Sequence, residues 1–205
     1  DKRIIYVKFQ VTRGHDWSIG LKRNIGAHLA TGEFIASFDD DDLYAPSYLE
    51  IMLGRLLTET IPCPERLLYG PGECPAAAVT LAEWHLHDLH EGSFAFFDAQ
   101  NDAAFGGRNT WLYGWGFSYM YTRRAWELHP FPEKNMCEDY LFMKGLQALS
   151  VPVGLVHESD GGLCAHTYMR ETSTSGGELS REERHRRQVD GVPGGFTCLM
   201  PVVHR

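Results

Sequence analysis

No Cys-x-x-Cys pair occurs in this chain of 205 residues, and its five cysteines (Cys63, Cys74, Cys137, Cys164 and Cys198) are scattered. That spacing fits neither a zinc motif nor the framework of a small disulfide-stapled domain. Free thiols in a reducing compartment are the plainer reading, with a Cys63–Cys74 pair left open. No apolar run approaches the roughly 18 residues of a membrane-spanning helix. Positive charge is in deficit, with 19 Lys and Arg against 27 Asp and Glu and a formal net charge of −8. That balance argues against a partner held by a general basic field, so no nucleic acid is expected. A phosphorylated substrate is still compatible, because a local basic cluster or a cation can recruit it. No internal repeat and no signal peptide is visible, which points to the cytoplasm. The first residue is Asp1 rather than Met, as in a fragment or a processed product.

What is present is ordinary for a globular protein. Hydrophobic residues make up 43% and charged residues 22%, which excludes wholesale disorder. The length suits one domain, or one with a small appendage, and a chain of this size buries about 70% of its unfolded surface.

Ile4 to Phe9 is β-branched and aromatic and predicts a strand. Leu21, Ile25 and Leu29 recur at i, i+4 and i+8 and predict a helix from Ser18, closed by Thr31-Gly32 with a left-handed glycine. Glu33 to Phe38 reads as an apolar strand that runs into Asp39-Asp40-Asp41-Asp42. Pro46 suits the first position of a second helix, whose apolar face holds Leu49, Met52, Leu53, Leu56 and Leu57. A Pro- and Gly-marked loop covers 62–75, and strands are expected at 76–87 and 94–98 around the turn Glu91-Gly92-Ser93. A glycine- and aromatic-rich loop from Gly106 to Gly116 precedes a strand from Phe117 to Tyr121, a helix over 139–149 and a strand from Val153 to Val156. Strand, helix, strand, helix within 60 residues predicts an α/β layer with a parallel sheet. From residue 176 the periodicity fades, which predicts a poorly ordered tail over 176–205 with a short helix near 178–188.

Four adjacent aspartates at the end of a strand carry the strongest chemical signal. Ligands of parallel α/β sheets bind at the carboxyl ends of strands, and clustered carboxylates suit a hard divalent cation. A solvated acidic turn, or a cap for the following helix, is the other reading. Lys22-Arg23-Asn24 lies in the first turns of the first helix, where a guanidinium fork can meet phosphate, or can simply face solvent. Glu138-Asp139 opens a helix, which suits either dipole complementation or a general base. His166 follows a glycine turn. His85, His87 and His90 form a separate cluster, with His85 and His87 on one face of a strand; a metal site there lacks a convincing further ligand. In Trp111 to Phe117, aromatic faces and glycines suit either a sugar ring or core packing.

In order and spacing, these residues resemble the family 2 glycosyltransferases of the GT-A fold. Arg23-Asn24-Ile25-Gly26 through Ala30-Thr31-Gly32-Glu33-Phe34-Ile35 looks like the family's approach to its metal strand. Asp39 to Asp42 with Pro46 is similar to its Asp-x-Asp-Asp followed by proline, and Tyr113-Gly114-Trp115-Gly116 to its acceptor-side segment. Glu138-Asp139 matches its Glu-Asp pair, and His166 and Arg170 to Ser175 its late histidine and the polar stretch beyond. The resemblance spans about residues 18–175.

It implies a GT-A-like (Rossmann-like) α/β domain over 1–175 with a mixed, mostly parallel sheet flanked by helices, lacking the family's first strand-helix-strand unit. It implies transfer of a sugar from a nucleotide-diphosphate donor to a carbohydrate or other hydroxyl acceptor, with inversion and with Mn²⁺ or Mg²⁺. Asp139 would be the base with Glu138 beside it. Arg23, Asn24, Asp39 and Asp40 would meet the donor, and Tyr113, Trp115 and Gly116 the acceptor. Asp41, Asp39 and His166 would hold the metal. Two other expectations compete: a non-catalytic carbohydrate- or nucleotide-binding remnant, and a metal-dependent hydrolase or nucleotidyltransferase.

Overall fold

The computed structural model describes residues 1–12, 16–58, 60–63, 72–101, 112–157, 161–169 and 180–199. The first helix, α1 (Ile19–Leu29), starts where Ser18 Oγ accepts the Leu21 N–H at 3.2 Å. It then leads into β1 (Phe34–Ala36), β2 (Leu43–Tyr44) and α2 (Tyr48–Thr58). A hairpin of β3 (Thr60–Cys63) and β4 (Gly72–Pro75) follows, then β5 (Ala78–Leu81), β6 (Glu83–Asp88) and β7 (Ser93–Asp98). After a short 3-10 turn at Gly116–Ser118 come β8 (Met120–Thr122), α3 (Arg123–Leu128), α4 (Glu138–Ala148), β9 (Val153–Val156) and β10 (Cys164–Tyr168). The chain continues through α5 (Arg181–Arg186), β11 (Gln188–Val189) and a second 3-10 turn at Gly194–Phe196.

Besides the two-stranded β3-β4 sheet, two larger sheets result, in the orders β1-β8-β5-β9 and β11-β7-β6-β10-β2. Side-chain alternation explains the first sheet's burial on both faces. Val79, Leu81 and Met120 point toward Met52 and Leu56 of α2, while Ala78, Tyr119 and Tyr121 join Phe142, Met143 and Leu146 of α4. Ala82 is the switch between sheets: its N–H donates to Val156 O and its carbonyl accepts from the Ala99 N–H, both at 2.9 Å.

The mostly parallel sheet of the sequence expectation is corrected. Among the described residues only β5–β9 and β6–β10 pair in parallel, and the other six pairings are antiparallel. The hairpin at Gly92 (φ 62) forces one antiparallel pair, and β8 runs against both of its neighbours. Residues 4–9 form no strand; Ile4, Ile5 and Tyr6 are exposed, and no described strand pairs with them. In α1 the row Leu21, Ile25, Leu29 does not enter the core, and Gly20 and Ala27 are the buried residues. Gly32 has no positive φ, so the expected left-handed cap is also corrected; Arg123 instead donates to the Gly32, Ala27 and Ala30 carbonyls at the end of α1.

The expected tail is structured over 180–199. A capping box joins Ser180 and Glu183 at the start of α5, and β11 adds to the edge of β7. Phe196 is fully buried and stacks on Phe94 with centroids 5.9 Å apart. Residues 176–179 and 200–205 of that tail lie outside the described residues. Among the described residues, no helix is long and apolar enough to cross a membrane.

Candidate functional site

Arg23 joins motifs that are far apart in sequence. Its Nε lies 3.4 Å from Glu138 Oε1 and its Nη2 3.5 Å from Asp39 Oδ1. The guanidinium is mostly buried, with 17% of its side chain exposed. Burial opposes its charge, but the carboxylates of Asp39, Glu138 and Asp139 outweigh that effect and raise its pKa. The expected donor-side arginine is therefore also the bridge between the aspartate run and the Glu-Asp pair.

Asp139 sits in the first turn of α4, directly after Cys137, whose left-handed backbone (φ 62) is unusual for a non-glycine residue. Asp139 Oδ2 accepts the Gly116 N–H at 3.1 Å and Oδ1 accepts the Tyr140 N–H at 2.6 Å. Burial, and then the adjacent Glu138 carboxylate, push its pKa up to about 6, against the pull of those two N–H groups and of Arg23. A carboxylate poised there is a better proton acceptor near neutrality than an ordinary one.

The aspartate run divides its labour. Asp40 and Asp41 are exposed. Asp39 is held by Tyr44, whose hydroxyl accepts the Asp39 N–H at 2.9 Å and donates to Phe117 O at 3.1 Å. Burial raises the Asp39 pKa, and the Asp42 and Asp41 carboxylates add to the rise, while Arg23 and His166 oppose it. His166 meets Asp42, rather than Asp41 or Asp39, with Nδ1 3.0 Å from Oδ1. The Asp42 side chain is fully buried and also accepts the Thr167 N–H at 2.8 Å. Among the described residues, no three His, Cys, Asp or Glu side chains stand close enough together to hold a metal ion.

The other expected residues are placed as follows. Asn24 uses its amide on Phe131 and Trp126. Trp115 is buried, packed 4.8 Å from Trp84 and 5.6 Å from Phe117 between ring centroids, and is not an open aromatic platform. Gly116 is buried beside Arg23 and Asp139, and Tyr113 is half-buried with Lys144 Nζ 5.7 Å from its ring centre. Trp111 and Arg170 to Ser175 lie outside the described residues. His85 and His87 do share a face of β6, where they pack on Phe196 and Phe94. Sequence reasoning missed Tyr44 and the Gly116 N–H, and it left Asp42 within the aspartate run without a role of its own. Asp42 and its partner His166 are 124 positions apart, and nothing local in the sequence pairs them.

The model of the family described as Glycosyl transferase family 2 matches residues 1–86, and this supports a family 2 glycosyltransferase. The matched stretch holds Arg23 and the aspartate run, and stops before Glu138, Asp139 and His166. No curated protein matches the chain.

Proposed function

We propose that this chain transfers a glycosyl group from a nucleoside-diphosphate sugar to an acceptor hydroxyl, with inversion at the anomeric carbon. The observation that carries the reading is the Asp39–Arg23–Glu138 bridge, which joins the family-matched stretch to the Glu138–Asp139 pair. Arg23 offers a fork that suits diphosphate oxygens. Asp139 takes the proton of the acceptor hydroxyl as its oxygen bonds to the anomeric carbon and the bond to the diphosphate breaks. Glu138 stays beside it and keeps negative charge close. The acceptor, a carbohydrate or another hydroxyl compound, approaches past Tyr113 and Gly116.

A divalent cation, Mn²⁺ or Mg²⁺, belongs to the proposal as a partner of the donor diphosphate, whose developing charge it would neutralise when bound. Asp39 and Asp41 would hold it, which requires Asp39 to exchange Arg23 for the ion. A second reading is a remnant that binds a nucleotide or carbohydrate without turnover; the ion pairs that engage Asp39 with Arg23 and Asp42 with His166 support it.

Calorimetric titration of UDP and GDP with and without Mn²⁺, alongside Asp41→Ala, tests the donor site. Cation-dependent binding that Asp41→Ala abolishes supports it, and no binding to the folded chain sinks it. Release of nucleoside diphosphate only when an acceptor is present then separates transfer from mere binding.

A further inference from the structure

Asn24 lies on α1 next to Arg23, but its side chain points along the polypeptide that leads to Glu138. Its Nδ2 donates to Phe131 O at 2.8 Å. Its Oδ1 accepts the Phe131 N–H and the Trp126 Nε1–H, both at 2.9 Å. Both lone pairs of the amide oxygen and one of its two N–H groups are thus in use. Two more bonds tie the same helix to the same stretch: the Ile19 N–H donates to Asn135 Oδ1 at 3.1 Å, and the Gly20 N–H to Lys134 O at 3.0 Å. A Cβ at Gly20 would collide with the Pro132 carbonyl, so the helix and the stretch touch backbone to backbone. That stretch ends at Cys137, and Glu138 and Asp139 follow at once.

We propose that Asn24 is a positioning residue, which fixes α1 and the start of α4 as one piece so that Arg23 faces Glu138 and Asp139 faces Gly116. On this assignment it does not touch the donor, which departs from the role that the family resemblance implies for it. The proposal rests on reading Asp139 as the proton acceptor. The physical logic is that of buried polar groups: without the amide, the Phe131 N–H, the Phe131 carbonyl and the Trp126 N–H all lose a partner. The stretch then shifts to find others, and the first turn of α4 shifts with it. Water reaches Asp139, and its distances to Glu138 and Gly116 grow.

The test is carbon-13 NMR of the Asp139 carboxyl, assigned by its disappearance in Asp139→Asn, across a pH titration of the full chain. In Asn24→Ala the titration midpoint falls by about one pH unit or more toward the ordinary carboxylate value, because burial and Glu138 are what keep it high. Trp126→Phe removes one of the three bonds and keeps most of the ring, so it moves the midpoint less but in the same direction. Phe196→Ala weakens the far sheet and leaves the midpoint where it is, which separates positioning from general loosening. An unmoved midpoint in folded Asn24→Ala overturns the proposal. If Asn24→Ala does not fold, an unmoved midpoint in Trp126→Phe overturns it instead. UDP calorimetry on the same proteins keeps the two readings apart. An unmoved midpoint with a tenfold or greater loss of UDP affinity returns Asn24 to the donor. If the parent chain binds no UDP, the glycosyl-transfer reading fails, while the Asp139 comparison still decides the positioning role.

Discussion

The backbone N–H of Gly116 donates to Oδ2 of Asp139 at 3.1 Å, and a Cβ at Gly116 would lie 2.7 Å from Arg23 Nη2 and 3.2 Å from Asp139 Cβ. The glycine is a wedge of minimum width between the arginine and the carboxylate. Its φ is not in the left-handed region, so alanine fits the backbone and only the contact changes. Gly116→Ala is expected to lower transfer at least tenfold while shifting the urea midpoint little. Parent-like turnover in that variant would show that Arg23 and Asp139 tolerate separation.

Asp139→Asn should remove about 10²–10⁴-fold of the transfer rate while sparing nucleotide affinity. In the parent chain the rate of the proposed transfer is expected to rise with pH through about 6, as the carboxylate ionises. Stability moves the other way. The folded pKa lies above the ordinary value of 3.8, so the folded state holds the extra proton between about pH 4 and 6. This contribution is full below the lower value and is lost as pH rises through the upper one. Asparagine mimics the protonated form, so Asp139→Asn is expected to have a higher urea midpoint than the parent at pH 7. A lower midpoint would contradict the burial argument.

Asp42 is a buried acceptor for the Thr167 N–H and a partner for His166. Asp42→Ala leaves both without it and should cost on the order of 1–3 kcal/mol by urea denaturation. Asp42→Asn keeps an acceptor and should cost less. Equal losses in the two variants would show that charge, not hydrogen bonding, is what His166 and Thr167 require.

Much of the site was legible because it is written in short local patterns. Asp39 to Asp42 follow a strand, Glu138-Asp139 open a helix, and each was placed from neighbouring residues alone. What stayed hidden was pairing across distance. Four aspartates in a row gave no sign of which would meet His166, and the amide of Asn24 looks the same in sequence whether it faces a ligand or a backbone. The fold failed in the same way. Ile4 to Phe9 has strand composition, but a strand also needs a neighbour to pair with, and composition does not provide one. The buried strand β10 was missed because Cys-Ala-His-Thr-Tyr shows neither an apolar run nor a clean alternation.

His85 offers a check on the second sheet. Burial among Phe96, Phe196 and Gly162 pushes its imidazole down to about 4. The ordinary value is 6.5, so the unfolded chain binds the extra proton between about pH 4 and 6.5. Stability from this group is complete above that window and falls as pH drops through it. His85→Leu should flatten the loss of urea midpoint between pH 7 and pH 4.5, and an unchanged slope would show that the ring stays uncharged for another reason.

Phe196 stacks on Phe94, and Phe196→Ala should cost roughly 3–5 kcal/mol, as cavities in aromatic cores do. Two-state unfolding at the parent midpoint would show that the 3-10 turn at Gly194–Phe196 only rests on the sheet.

The same turn sets an order of events during synthesis. The Gly195 N–H donates to Gly161 O at 3.0 Å, at the glycine pair that leads into β10, and Phe196 closes the sheet's outer face. Until residue 196 has left the ribosome, His85 and Phe94 lack the ring that packs on both of them. A nascent chain paused before this point leaves that part of the aromatic surface uncovered, which invites chaperones or aggregation.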